Sequence, residues 1–488
     1  MVYADYNTRN RRSRKPASQR RARRMNPAMA GAGTSCSIRN NYDRLPVMGP
    51  PRTASRRGFL RHSAATAGAA LLGGFSLARG AYAAADDTIK VALIGCGGRG
   101  IGAAANCLNV KDRVKLTAVA DVFPQRARAG RESLQNQYGD KVDIPMDRVF
   151  SGFDAYQKAI ESGVDMVILA EPPGFRPAHF KAAVDAGKHV FMEKPCCTDA
   201  AGFRTLMEAN QIAQRKGLKV GVGLQRRHQP NYIETMKRIH DGAIGELRLL
   251  RVYWNMGNIW TRSREPDNTE MLYQVRNWQY FYYLGGDHIV EQHVHNLDIA
   301  NWVMAPDGDA KKAHPVEANG LGGRQRRDEF PDTGHIYDHH CVEFTYRNGI
   351  KLFSQCRQMP GCWEHVAEFA HGLKGVANCS GSITGQTVWQ YSGRHVNPYD
   401  QEHVDLIEAI RKGLPYHEGW FGAISSMTAV LGRMATYSGQ IVRWDEAVAK
   451  GPSLFPEKLD SQARPPIVPD AAGSYKHAVA MPGQYKPY

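Results

Sequence analysis

Between residues 88 and 223 the chain alternates short, nearly unbroken apolar runs with longer amphipathic stretches. Thr88–Gly95, Val114–Ala120, Val164–Leu169, His189–Met192 and Lys219–Gly223 read as strands, and Ile101–Leu108, Pro177–Ala186 and Ala200–Lys216 as helices between them. Strands alternating with helices predict a parallel, doubly wound sheet, an α/β fold. Past residue 223 the pattern changes. Glu246–Gly257 reads as one long strand, and Asp338–Tyr346 and Lys351–Gln358 flank Asn348-Gly349, a strong hairpin signal. Helical periodicity returns at Gln401–Lys412 and Ala423–Gly439, and Gly451–Tyr488, with seven prolines and little periodicity, predicts an extended arm on the surface or on a neighbouring subunit. The expected organisation is a leader (1–85), a first α/β domain (86–223), a second α/β domain (224–450) and a C-terminal arm (451–488).

The net charge of +16 suggests nucleic acid until its distribution is read. Sixteen Lys and Arg against Asp5 and Asp43 put +14 on residues 1–85, so only +2 falls on the rest, and the body offers no electrostatic case for nucleic acid. The leader resembles a twin-arginine export signal: Ser55-Arg56-Arg57-Gly58-Phe59-Leu60-Arg61, a mildly apolar run from Ala64 to Leu77, and Ala81-Tyr82-Ala83 as an A-x-A cleavage pattern. The run is too short to anchor in a bilayer. The expectation is export to the periplasm through the twin-arginine translocase, with a mature start near Ala84 or Asp86. Residues 1–47 precede a plausible start at Met48 and read as a disordered extension or a mis-assigned start. Nine cysteines, Cys36 among them, are irregularly spaced without a C-x-x-C pair, which indicates neither a zinc ribbon nor a disulfide framework. Adjacent Cys196 and Cys197 read as buried thiols.

The first strand runs into Gly95-Cys96-Gly97-Gly98-Arg99-Gly100, with a helix after it, which is the context the G-x-G-x-x-G fingerprint of a dinucleotide site requires. The first glycine allows the tight turn, the second admits the pyrophosphate and the third lets helix and strand close together, while helix N-terminal amides face the phosphates. The second strand ends at Asp121, a carboxylate placed to bind both hydroxyls of an adenosine ribose and to repel a 2′-phosphate, so NAD is expected over NADP; Arg126 nearby is the residue that could tolerate the phosphate. No second nucleotide fingerprint appears, which argues against a flavin enzyme.

Val167-Ile-Leu-Ala-Glu171-Pro172, then His179, then Ala186-Gly-Lys-His-Val-Phe-Met-Glu193-Lys194-Pro195 resemble the Gfo/Idh/MocA family of glucose–fructose oxidoreductase and inositol dehydrogenase type, over residues 88 to about 447. Glu171 departs from the threonine many members have. The resemblance implies a Rossmann domain followed by an α/β domain with an open, mainly antiparallel sheet that backs the active site and forms the contact of a dimer or tetramer. It adds Glu171, Pro172, His179, Glu193 and Lys194 to the glycine turn, Arg99 and Asp121 as cofactor-binding residues.

The stretch Gly285-Gly286-Asp287-His288-Ile-Val-Glu291-Gln292-His293-Val-His295-Asn-Leu-Asp298 matches the family's acid and histidine four residues apart, at Glu291 and His295. On one continuous helix, residues 291, 295 and 298 share a face and 293 does not. The reading is that His295 takes the hydroxyl proton of a secondary alcohol, Glu291 orients its ring, and Lys194 hydrogen-bonds the same oxygen. A metal site from Glu291, His293 and His295 is disfavoured because i, i+2 histidines diverge on a helix, and a merely solvated helix face is the bland alternative. Substrate-binding candidates are Gln225, Arg226, Trp254, Arg276, Tyr280, His293 and Asp298, with His228, Asn255, Arg262 and Trp278 near them in sequence. His335-Ile-Tyr-Asp-His-His340 is placed on a strand by alternation and read as structural. The expected function is an NAD-dependent oxidoreductase acting on a secondary hydroxyl of a sugar, glycoside or cyclitol, with the cofactor retained through the redox cycle because free NAD is scarce outside the cytoplasm. The alternatives are an NAD-dependent glycoside-cleaving enzyme, whose T-H-G-x-G-P-like signature is absent, and a non-catalytic sugar sensor, which retention of Lys194 and His295 opposes.

Overall fold

The apolar runs of the first half become strands of a six-stranded parallel sheet in the order β3-β2-β1-β4-β5-β6, made of β1 (Ile89–Ile94), β2 (Val114–Asp121), β3 (Val149–Ser151), β4 (Met166–Leu169), β5 (His189–Met192) and β6 (Val220–Val222). The computed structural model describes residues 87–257, 259–329 and 333–488, all within one compact unit. The leader, with its twin-arginine and A-x-A patterns, lies outside the described residues. Helices α1 (Gly98–Asn109), α2 (Pro124–Tyr138), α3 (Ala155–Glu161), α4 (Arg176–Asp185) and α5 (Ala200–Arg215) connect the strands. All four residues of β4 are buried, as helices on both faces of a parallel sheet demand. The strand order is that of a doubly wound dinucleotide fold, whose ligands sit at the carboxyl ends of the strands.

After α6 (Pro230–His240) the chain builds a nine-stranded sheet, β14-β13-β12-β11-β7-β10-β9-β8-β15. Its members are β7 (Leu247–Met256), β8 (Pro315–Gly323), β9 (His339–Tyr346), β10 (Lys351–Gln358), β11 (His365–Gly372), β12 (Gly375–Asn378), β13 (Ser382–Gly385), β14 (Trp389–Gln390) and β15 (Val442–Arg443). Every pairing is antiparallel except β7 with β10. The expected hairpin joins β9 to β10, with Gly349 at φ 82° in its turn. Helices α7 (Glu270–Arg276), α8 (Tyr282–Gly285), α9 (His288–Glu291), α10 (Val294–Val303), α11 (Pro398–Lys412), α12 (Gly419–Ser438) and α13 (Trp444–Lys450) complete the unit. Helix α12 is buried over nearly its whole length and packs on β8 and α5, so it ties the two sheets into one apolar core. No helix among the described residues is long and apolar enough to cross a membrane.

Two expectations are corrected here. The stretch 285–302 is not one helix: α9 ends at Glu291, Gln292 and His293 form a turn, and α10 starts at Val294. Of His335–His340, only His339 and His340 lie on a strand. The C-terminal arm holds one short helical turn, Lys476–Ala478, and otherwise lies extended against the body.

Candidate active site

The glycine turn has the shape its sequence implies. Gly95 adopts φ 95°, and a Cβ on Gly100 would stand 1.8 Å from the Gly95 carbonyl oxygen, so neither position accepts a side chain. At Gly97 and Gly98 a Cβ would meet nothing within 4 Å, and Gly97 caps α1 without a side-chain hydrogen bond, leaving the helix amides free toward the cleft. Open space in front of free amides fits a pyrophosphate. Asp121 Oδ2 accepts from the Cys96 amide at 2.8 Å and Oδ1 from the Phe123 amide at 2.9 Å, so the acid also locks the turn. Burial raises its pKa, and each oxygen keeps a lone pair for a ribose hydroxyl. Arg126 lies over the Phe123 ring at 4.6 Å and lines the same cleft. Burial lowers its pKa, and the nearby charges of Arg276 and Arg262 lower it further. These residues fit a nicotinamide dinucleotide.

Glu171 also lines this cleft. It is buried, neither carboxylate oxygen has a hydrogen bond, and its neighbours are His179 Nδ1 at 3.5 Å and Arg176 Nε at 3.7 Å. His179 stacks on Tyr156 with ring centroids 3.8 Å apart. Arg99 is already paired: its Nε donates to Glu193 at 2.5 Å and its Nη2 to Glu402 at 3.2 Å, so two carboxylates hold its guanidinium. Tyr399 lies under its guanidinium at 4.9 Å.

Lys194, at the carboxyl edge of β5, donates to the Glu291 carboxylate at 2.8 Å and to the Glu291 carbonyl at 2.7 Å. The break after α9 is what permits both bonds. Glu291 therefore serves Lys194 and does not orient the His295 ring, which is a correction of the shared-face reading. His295 is buried and stacks on Trp254, with centroids 5.8 Å apart at 19°. Burial, with the charges of Lys194, Arg226 and Arg99, drives its pKa well below the usual imidazole value, so the ring is neutral at physiological pH. Arg226 lies over the same indole at 5.5 Å and pairs with buried Glu368, which Tyr232 and Asn296 also hold. Gln225 donates to the Tyr399 hydroxyl at 3.2 Å. Lys194, Glu291, His295, Trp254, Arg226 and Gln225 thus fall in one neighbourhood.

Four substrate-binding expectations are not met. His293 is fully buried and its Nε2 bonds Ser354 at 2.8 Å, because the turn at 292–293 points it into the sheet. Asp298 is taken bidentately by Arg227, at 2.8 and 2.9 Å, and by Ser425. Tyr280 is buried and its hydroxyl bonds the Ile259 carbonyl at 3.0 Å. Arg276 pairs with Glu265 and lies 6.0 Å over the Phe123 ring, at the adenosine end of the cleft. Trp278 lines the dinucleotide cleft and not a polyol site. His228 is structural: although burial opposes its charge, Glu418 and Asp405 hold its pKa up at about 10. Cys196 and Cys197 are fully buried, and burial raises both thiols. Among the described residues, the one His/acid group with ligand atoms within 4.8 Å of one another is Asp287, His288 and His340. Asp287 is already filled there, accepting from Tyr437 Oη at 2.6 Å and the Tyr337 amide at 3.1 Å, with His288 Nδ1 at 2.8 Å.

The sheet order, the glycine turn and the open cleft define a Rossmann-type nucleotide-binding protein with a second sheet behind its lysine–histidine site. Residues 89–224 match the Gfo/Idh/MocA model, described as "Oxidoreductase family, NAD-binding Rossmann fold". Inositol 2-dehydrogenase of Acidiphilium cryptum (strain JF-5) is 25% identical over 395 residues, which cover 78% of this chain and 99% of that one. The scyllo-inositol 2-dehydrogenase (NADP(+)) IolW of Bacillus subtilis (strain 168) is 26% identical over 223 residues, 45% of this chain and 54% of its own. The crystal structure of aldose-aldose oxidoreductase from Caulobacter crescentus, complexed with glycerol, has a TM-score of 0.55 at 19% identity and covers 73% of this chain and 99% of its own. These matches support the Gfo/Idh/MocA family for this chain.

Proposed function

We propose that the protein is an NAD-dependent oxidoreductase that transfers hydride at a secondary hydroxyl-bearing carbon of a cyclitol, sugar or glycoside. The observation that carries this is the convergence of Lys194, neutral His295 and Trp254 at the carboxyl edge of the dinucleotide sheet. When bound, the nicotinamide supplies the hydride acceptor. Lys194 donates to the substrate oxygen and stabilises negative charge as it develops there. His295 receives the hydroxyl proton at Nε2, since Nδ1 is sealed inside the protein without a partner. Glu291 holds the Lys194 ammonium in place through its carboxylate at 2.8 Å. The Trp254 face suits the C–H surface of a polyol ring. Both the inositol dehydrogenase relatives and the aldose-aldose oxidoreductase support the substrate class.

Asp121 supports NAD over NADP, and Arg126 is the residue that would relax the choice. The leader supports export to the periplasm by the twin-arginine route. The outer face of β10, which leaves Phe353 44% exposed, supports a homo-oligomer through the second sheet. The test is mass spectrometry of nucleotide bound to the purified chain, followed by a panel of cyclitols and sugars monitored by absorbance of reduced nicotinamide. Turnover of a polyol with NAD supports the proposal, and inertness toward the whole panel with both NAD and NADP counts against it.

A further inference from the structure

The dinucleotide cleft has an outer wall that does not come from the Rossmann part. Val275, at the end of α7, and Trp278 just beyond it close over the side lined by Phe123, Phe153 and Glu171. Helix α7 is only seven residues long, too short to hold a position by itself. The C-terminal arm holds it. Thr269, the N-cap of α7, donates to the Ser461 carbonyl, Gln274 donates to the Ile467 carbonyl at 2.7 Å, and Tyr475 bonds both Glu270 and Arg264. Further back along the arm, Phe455 packs edge-on against Phe175 at 5.1 Å, at the rim of the same cleft. The arm is in turn pinned to the body: the Leu454 amide donates to Asp199 at 2.7 Å and the Gly483 amide to the Ser438 carbonyl at 2.8 Å. The wall, the arm and the cleft rim share one apolar cluster.

We infer that residues 451–488 are a strap that fixes α7 over the dinucleotide cleft, so that the cofactor is held between turnovers. The inference rests on the reading that this cleft binds a nicotinamide dinucleotide. Release then requires α7 to lift, and lifting breaks the bonds from Thr269, Gln274 and Tyr475 together.

The full chain, loaded with NAD and freed of excess by gel filtration, is compared with the double substitution Thr269→Val, Tyr475→Phe. Neither residue lines the cleft, and both changes nearly conserve volume. The substitutions remove two bonds that tie α7 and its cap to the arm, Thr269 to Ser461 and Tyr475 to Glu270, each worth about fivefold, so release of NAD into excess competing NADH should speed about 10- to 30-fold. Turnover at saturating NAD should stay at the wild-type value. Phe455→Ala, which loosens the arm at the rim without touching those bonds, should also speed release. Equal release rates in the wild type and all variants would overturn the strap while leaving the cofactor reading intact. A wild-type chain that binds neither NAD nor NADP would overturn the cofactor reading and the strap with it.

Discussion

Glu291→Gln tests the most consequential difference between the structure and the one-helix reading. The carboxylate meets Lys194 Nζ at 2.8 Å, with side chains 11% and 16% exposed, so the pair is screened little by solvent. A hydrogen bond between charged groups contributes about 1.5–3 kcal/mol, or roughly 10- to 150-fold in rate if it is realised in the transition state. Lys194 keeps its bond to the Glu291 carbonyl at 2.7 Å in the variant, which places the expected loss in kcat/KM in the lower part of that range, about 10- to 30-fold. The assay is reduced-nicotinamide absorbance with a polyol the wild type accepts, with far-ultraviolet circular dichroism to confirm the fold. Lys194→Ala should cost more, and the double variant should resemble Lys194→Ala alone, because Glu291 acts through the lysine. Wild-type kcat/KM in Glu291→Gln would refute the pairing, as would a double variant that loses the full product of the two single losses.

The remaining predictions separate residues that sequence proximity had grouped. His295→Ala should lower turnover about 10²- to 10⁴-fold with NAD affinity unchanged in a nucleotide titration. His293→Ala should instead lower stability by about 1–3 kcal/mol in urea melts, because its bond to buried Ser354 is lost, and leave kcat near the wild-type value. Asp121→Ser should weaken NAD binding about 10- to 100-fold and narrow the gap to NADP, since it removes a ribose acceptor and also unties the Cys96 and Phe123 amides; a wild type that prefers NADP would show that Arg126 dominates. Stability should fall on acidification from about pH 6.5, because burial holds His335 at about 3 and His417 at about 4 while the unfolded chain protonates both, which costs about 1.4 kcal/mol per pH unit for each. His228 works in the opposite sense: its stabilisation is complete below pH 6.5 and lost as the pH rises through about 10, so thermal melts should peak near neutrality.

What was legible in the sequence is local. The buried strands of a parallel sheet announce themselves as apolar runs, and the glycine turn, Asp121 and Lys194 sit at strand ends where a short motif is enough to place them. The site's second half depends on contacts that no window of sequence contains. The apolar spacing of 285–302 suits a single helix, yet the turn at Gln292–His293 gives Glu291 to Lys194, 97 residues earlier, and Asp298 to Arg227, 71 residues earlier. Glu402, which shares Arg99 with Glu193, lies 303 residues from that arginine. Strand β8 escaped notice because its glycines weaken the strand signal; a Cβ at Gly320 would stand 2.7 Å from the Cys341 carbonyl oxygen and 3.0 Å from Thr436, so close packing under α12 selected them. The contacts of the C-terminal arm with Thr269 and Gln274 could not be read from its prolines.

The proposed function stands on Lys194 and His295 acting together on a polyol hydroxyl beside a bound nicotinamide. The most direct test is a single-turnover experiment on the full chain loaded with NAD, mixed with cyclitols and sugars and followed at the absorbance of reduced nicotinamide. An accepted polyol should yield about one equivalent of reduced cofactor per site, slowed at least a hundredfold in His295→Ala and in Lys194→Ala while both variants still hold NAD. Reduction at the wild-type rate in both variants would contradict it.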